Sequence, residues 1–189
     1  MHPLDSILKP HSIAVVGASR HEGSVGREIL HQLIEFDFHG KLFPVNSKAD
    51  FIHSIKAFPS VASIPDPVDL AIIVVPRGEV LSAVDDCGKK GVTGLVVISA
   101  GFSESGEEGK EFEAQLAERV RQYGMRMIGP NCMGVINTDP AVRMDATFAP
   151  TLPLAGRIAF MSQSGALGVA ILNIARQIGI VFLFREPGQ

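Results

Sequence analysis

Residues 12–36 constrain this chain more than any other stretch. They read as an apolar strand through Ile13, Val15 and Val16, then a turn carrying Gly17, Gly23 and Gly26. A helix follows, in which Val25, Ile29, Leu33 and Phe36 recur at helical spacing. A strand that runs through glycines into a helix points backbone N–H groups and a positive helix end at one spot, which suits an anionic phosphate. A plain tight turn would use the same glycines. The spacing also departs from the dinucleotide fingerprint, with Ser19 where a second close glycine would sit.

The rest of the chain repeats the alternation. Strands are expected over 41–45, 69–75, 94–99 and 125–128, and helices over 78–90 and behind the Ser105/Glu108 pair, which reads as a capping box. The run 69–75 is almost purely apolar, as a strand covered on both faces requires. Val80, Val84 and Cys87 form one buried stripe, and Phe112, Leu116 and Val120 another. The fold class is therefore α/β: a Rossmann-like, doubly wound parallel sheet, with strand order 3-2-1-4-5 expected from right-handed crossovers. After a connector with Pro140, Pro150 and Pro153 the design restarts, with a strand over 157–161, the turn Ser162-Gln163-Ser164-Gly165 and a helix over 166–177. The expected domains are 1–140, Rossmann-like, and 141–189, the incomplete start of a second, flavodoxin-like α/β unit. The apolar run 180–184 lacks a complete sheet to join, so self-association or disorder is expected there.

Charge and cysteines narrow the partners. A net charge of −3 leaves no basic surplus for gripping a nucleic-acid backbone, so no nucleic-acid partner is expected. Two cysteines suit a reducing compartment. The N-terminus has no signal-peptide pattern, and the longest apolar run is far short of a membrane span, so a cytoplasmic protein without a membrane partner is expected.

Ligands of such sheets sit at the carboxyl ends of the strands. Here those ends carry Gly17 and Ser19, Asn46 and Lys48, Pro76, Ser99 and Gly101, and Asn131 and Cys132. An NAD site usually places Asp or Glu after the second strand; Lys48 suits a phosphorylated ribose instead, as in NADP or coenzyme A, unless it is only a solvated loop lysine. Cys132 reads either as a reactive thiol or as a partly buried inert one. Ser162, Ser164 and Gly165 read either as a second phosphate loop or as a plain Ser N-cap. No metal-ligand spacing is present.

Seven segments together carry a resemblance: Ser-Ile-Ala-Val-Val-Gly-Ala-Ser (12–19), Gly-Ser-Val-Gly (23–26), Pro-Val-Asn-Ser-Lys (44–48), Asp-Leu-Ala-Ile-Ile-Val-Val-Pro (69–76), Ile-Ser-Ala-Gly-Phe (98–102), Ile-Gly-Pro-Asn-Cys-Met-Gly (128–134) and Ser-Gln-Ser-Gly-Ala-Leu-Gly (162–168). The chain resembles the CoA-binding domain of the NDP-forming acyl-CoA synthetases, which include ADP-forming acetyl-CoA synthetase and the succinyl-CoA synthetase α subunit. The resemblance implies that Gly17, Ser19 and Val25 line the phosphate end of CoA, with Lys48, beside Asn46, at the ribose phosphate. It places Pro76, Ser99 and Gly101 along the pantetheine arm and Asn131 and Cys132 near the thiol. Ser162, Ser164 and Gly165 match the loop that receives a phosphoryl group from a phosphohistidine. CoA or acyl-CoA is the implied ligand, an ATP-grasp subunit or domain the implied partner, and a homo-oligomer is compatible with both.

The chain departs from that family in two ways. All six histidines precede residue 54, whereas the family's catalytic histidine lies beyond the 162–168 loop, and no ATP-grasp segment is present. The last five residues, Arg-Glu-Pro-Gly-Gln, replace the family's Val-Ser-Leu-Gly-Asn; codons for the former read one nucleotide later spell the latter. A truncated or frameshifted synthetase without independent ligase activity is the expectation. Its rivals are a CoA-sensing regulatory module, such as those fused to protein acetyltransferases, and an NAD(P)-dependent oxidoreductase domain.

Overall fold

The computed structural model describes residues 2–179, with the side chain of Arg157 left aside; the apolar run 180–184 and the unusual final residues lie outside them. A parallel sheet is built from β1 (Ser12–Val16), β2 (Lys41–Val45), β5 (Leu70–Ile73), β6 (Gly94–Val97) and β7 (Arg126–Ile128). Its order is β2-β1-β5-β6-β7. The doubly wound parallel sheet is as expected, but the order is not: the third long strand pairs with β1, not with β2. Pro44 supplies the reason. It sits in register with Val15 of β1 and has no N–H to offer a second neighbour, so β2 belongs at an edge.

Each strand splits its side chains between two cores, as the two-residue repeat dictates. Ile13, Val15, Leu70, Ile72 and Val96 face α2 (Val25–Glu35), where Ile29, Leu30 and Leu33 are fully buried. Ala14, Val16, Ala71, Ile73, Leu95 and Val97 face α3 (Arg77–Lys90) and α4 (Glu107–Gln122), with Val80, Val84, Leu116 and Val120. The chain turns leftward from β1 to β2 through α2, then rightward through everything after β2. Right-handed crossovers therefore put α2 on one face and the later connections on the other. The connection from β2 to β5 contains no helix. It forms a short hairpin, β3 (Phe51–Ile52) with β4 (Ile55–Lys56), and a loop whose Val61, Ile64 and Val68 join the α3/α4 core.

The α2 face would be half bare over β5, β6 and β7. A one-turn helix α1 (Asp5–Leu8) and an antiparallel hairpin, β8 (Gly134–Asn137) with β9 (Met144–Thr147), cover it, burying Ile7, Met144 and Ala146. The restart is present as β10 (Ala155–Ile158) and α5 (Gly165–Ile178). The capping box is absent: Ser105 lies in a 3-10 turn, α4 starts after Gly106 without a side-chain cap, and Glu108 pairs with Arg77 instead. Among the described residues no helix is long and apolar enough to cross a membrane.

Candidate functional site

The direction of the chain reverses between β1 and β5, so the crevice opens where their carboxyl ends diverge. The loop after β1 forms its centre. Gly17 adopts φ +95°, and a β-carbon there would lie 2.6 Å from the Val74 carbonyl oxygen. Gly26, one residue into α2, would place a β-carbon 2.1 Å from the Gly17 carbonyl oxygen, so helix and strand meet backbone to backbone. Three side chains tie the loop between them: Asn46 Nδ2 donates to the Ala18 carbonyl (2.8 Å), Arg27 Nη1 to the Arg20 carbonyl (2.8 Å), and Ser19 Oγ accepts from the His21 N–H (3.1 Å). Ser24 is the N-cap residue of α2 but gives its hydroxyl to the His21 carbonyl, leaving the helix without a side-chain cap. The first N–H groups of α2 are left for an external acceptor. Val25 stands half-exposed beside them.

At the β2 edge, Asn46 is a brace more than a ligand-reading group. Its second atom, Oδ1, accepts from the Lys48 N–H (2.8 Å), so both ends of the amide are engaged. Lys48 is exposed, and its ammonium has no ion pair or hydrogen bond among the described residues. The chain then enters the β3/β4 hairpin, whose His53 stacks on His31 of α2 at 5.6 Å between ring centroids. Burial, with Arg27 and His31 nearby, holds His53 below the usual imidazole range.

The other wall runs along the ends of β5, β6 and β7. Pro76 is the N-cap residue of α3, and Ser99 Oγ donates to the Val75 carbonyl (2.5 Å) while the Ser99 carbonyl accepts from Asn131 N–H (3.0 Å). Gly101, at φ +99°, is clasped from both sides: Glu104 accepts from its N–H (2.6 Å), and Arg77 Nη1 donates to its carbonyl (3.1 Å). That N–H holds the Glu104 carboxyl below the usual range. Arg77 also pairs with Glu108 and lies over the Phe112 ring. Arg77, Glu104 and Arg27 escaped the sequence reading; the signal for Arg77 was its place directly after Pro76 at a strand end.

Cys132 Sγ donates to the Val97 carbonyl (3.3 Å), and burial pushes its thiol up to about 11. Its partial burial and its hydrogen bond to a carbonyl are the surroundings of a packed cysteine rather than of an activated thiol. Ser162 and Ser164 bond within their own turn, and Ser164 Oγ accepts from the Leu167 N–H (3.3 Å), so an ordinary Ser N-cap opens α5. Gly165 and Gly168 of that helix face Met133, which follows Asn131 and Cys132. The second loop is thereby brought against the β7 end of the crevice. Lys48 follows β2 and Asn131 follows β7, the two edge strands of the sheet, which are four strand spacings or about 19 Å apart. No group of three or more His, Cys, Asp or Glu among the described residues could hold a metal ion.

A parallel sheet with a tied glycine loop and a helix end without a side-chain cap defines a Rossmann-like α/β domain. The chain belongs to the CoA binding domain family, matching it over residues 11–138. It is 47% identical to the α subunit of ADP-forming acetate–CoA ligase I of Pyrococcus furiosus, over 94% of this chain and 39% of that one. It is 41% identical to the ADP-forming 4-hydroxybutyrate–CoA ligase of Nitrosopumilus maritimus, over 93% of this chain and 25% of that protein. Among solved structures it is similar to the dinucleotide forming acetyl-coenzyme A synthetase 1 of Candidatus Korarchaeum cryptofilum, in complex with phosphate and ADP. The TM-score is 0.90 at 44% identity, over 96% of this chain and 38% of that one. The chain thus spans about two fifths or less of the length of these relatives, and what it matches is a part of each of them. The oxidoreductase and sensor readings are not favoured by these likenesses.

Proposed function

We propose that coenzyme A lies across the carboxyl edge of the sheet, phosphates at one end and thiol at the other. The diphosphate meets the N–H groups of residues 17–19 and the uncapped start of α2 near Val25. The ribose phosphate meets Lys48. The pantetheine arm runs past Pro76, Ser99 and Gly101, and the thiol reaches Asn131 and Cys132, whose own thiol packs and does not react. The observation that carries this reading is the β2 end: a lysine without an ion pair among the described residues where a nicotinamide site would hold a carboxylate, with the neighbouring amide already used as a brace.

The domain would serve the reaction acid + CoA + ATP → acyl-CoA + ADP + phosphate. An acyl phosphate meets the CoA thiol; a carbon–sulfur bond forms as the S–H bond and the carbon–oxygen bond to phosphate break, and the phosphate leaves with the thiol proton. The hairpin of β8 and β9 belongs to the first unit, so a second unit would begin after β9 rather than at residue 141, and its loop at Ser162, Ser164 and Gly165 would lie where the phosphoryl group arrives. The reaction also needs a phosphoryl-carrying histidine and an ATP-grasp unit, which this domain would meet as partners.

Titration calorimetry tests the ligand. CoA should bind and NAD should not. A hydrogen bond to a charged group contributes about 1.5–3 kcal/mol, so dephospho-CoA should bind roughly 10- to 100-fold more weakly than CoA. Lys48→Ala should remove most of that gap. Equal affinity for the two forms in the unaltered chain would take Lys48 out of the site.

A further inference from the structure

Residues 46–58 leave the sheet and return to it as a closed loop. At the base, the Phe58 carbonyl accepts from the Asn46 N–H and the Phe58 N–H donates to the Pro44 carbonyl, both at 2.9 Å. The Ala57 N–H closes the neck on the Asp50 carbonyl (2.8 Å). Beyond the neck, β3 and β4 have two residues each, and the tip turns through His53 and Ser54, both left-handed at φ 49° and 62°. Two features seat this tip on α2. Ile52 is buried in the α2 core, and the His53 ring lies on the His31 ring, 5.6 Å between centroids with 23° between planes. Lys48 stands on the arm between base and tip. The surroundings of His53 disfavour a charged ring. A protonated imidazole carries an N–H on both nitrogens, and His53 Nε2 is buried with no hydrogen-bond partner among the described residues. Burial opposes the charge most, then Arg27 and His31 of α2; Glu28, also of α2, favours it more weakly.

We propose that the His31–His53 stack is a proton-operated latch, which seats the β3/β4 hairpin on α2 at neutral pH and releases it in acid. A ring that is harder to charge when docked leaves docking intact above the free imidazole value, about 6.5, and weakens it as pH falls below that. At pH 5.0 such a ring favours the released tip by up to about 30-fold. The base of the loop stays bonded to β2, so release lets the arm pivot about that base, and Lys48 moves with the arm. The consequence for CoA rests on the reading above; the latch itself does not.

Hydrogen exchange of the amides of residues 52–57, in the full chain without CoA, tests the latch. Corrected for the intrinsic rate, their protection should fall about 10-fold from pH 7.5 to pH 5.0, while the amides of β6 keep theirs. His53→Asn tolerates the left-handed backbone and carries no charge, so it should abolish the fall. His31→Phe keeps a ring in the stack and removes its charge. It should leave a fall of about 3-fold, and it carries the test if His53→Asn does not fold. A fall of less than about twofold in the unaltered chain, one matched by the β6 amides, or one undiminished in either variant that folds would overturn the proposal. Titration calorimetry then reads the arm. Between pH 7.5 and pH 5.0, CoA affinity should fall about 3-fold further in the unaltered chain than in His53→Asn, which shares every other titrating group. Equal falls would overturn the link to Lys48. Failure of CoA to bind at all would overturn the CoA reading, and the exchange measurement would still decide the latch.

Discussion

Gly26→Ala is expected to lower the melting temperature by about 2–12 °C and to weaken CoA binding at least tenfold. The added β-carbon would lie 2.1 Å from the Gly17 carbonyl oxygen and 2.9 Å from its carbonyl carbon. Both are backbone atoms, so no side-chain rotation relieves the clash. Either α2 or the glycine loop must withdraw. Overpacking a well-filled site costs about 1–3 kcal/mol, sometimes more, and in a domain of this size each kcal/mol shifts melting by about 2–4 °C. The loss of binding follows because the groups that move apart are the loop amides and the helix end that together face the ligand. Gly78→Ala is the control. Nothing lies within 4 Å of that position and it sits in the first turn of α3, so the change should be neutral or mildly stabilising. Differential scanning calorimetry and CoA titration on the two variants separate the cases. Equal melting temperatures for both would show that the close approach does not organise the loop.

Asp145→Asn is expected to stabilise the protein, by about 2–3 kcal/mol at pH 8. Asp145 is fully buried in β9; its Oδ1 accepts from Thr147 Oγ1 (2.7 Å), and its Oδ2 has no hydrogen-bond partner among the described residues. Burial raises its carboxyl from 3.8 to about 6, against the smaller opposing effect of the Thr147 hydrogen bonds. The folded state therefore binds the proton more tightly than the unfolded chain does. Stability is greatest below pH 4, falls as pH rises through 4 to 6, and the full penalty is present above that window. At 1.36 kcal/mol per tenfold step, ionising this group inside the fold costs about 3 kcal/mol. Asparagine keeps the acceptor for Thr147 and removes the charge. Urea denaturation at pH 8 should show the gain, and at pH 4 the two proteins should be equally stable. A variant no more stable than the parent at pH 8 would mean that Asp145 is ionised and paired in solution.

The alternation of strand and helix was legible because the β5 region is apolar throughout and the helical stripes at Val80, Val84 and Leu116 are regular. The strand order was misread although the information was present. Right-handed crossovers fit either order, since handedness fixes the face only after the direction is known; Pro44 was the residue that placed β2 at the edge. Two hairpins were missed for different reasons. The β3/β4 hairpin has strands of two residues each, too short for a repeat to register. In β9 the fully buried Asp145 and Thr147 hide the strand pattern, because a polar residue in a core position reads as surface. The glycine loop and Lys48 could be named from spacing, but the ties from Asn46 and Arg27, and the contact of Met133 with α5, join segments distant in sequence. Only the folded chain reveals them.

The account depends on one placement: CoA on the carboxyl edge, held at its ribose phosphate by Lys48. A crystal structure of the chain with CoA measures this directly. The account predicts Lys48 Nζ within 2.7–3.2 Å of a ribose phosphate oxygen, with the diphosphate over the residue 17–19 amides and the thiol beside Asn131. CoA lodged elsewhere, with Lys48 pointing into solvent, would contradict it.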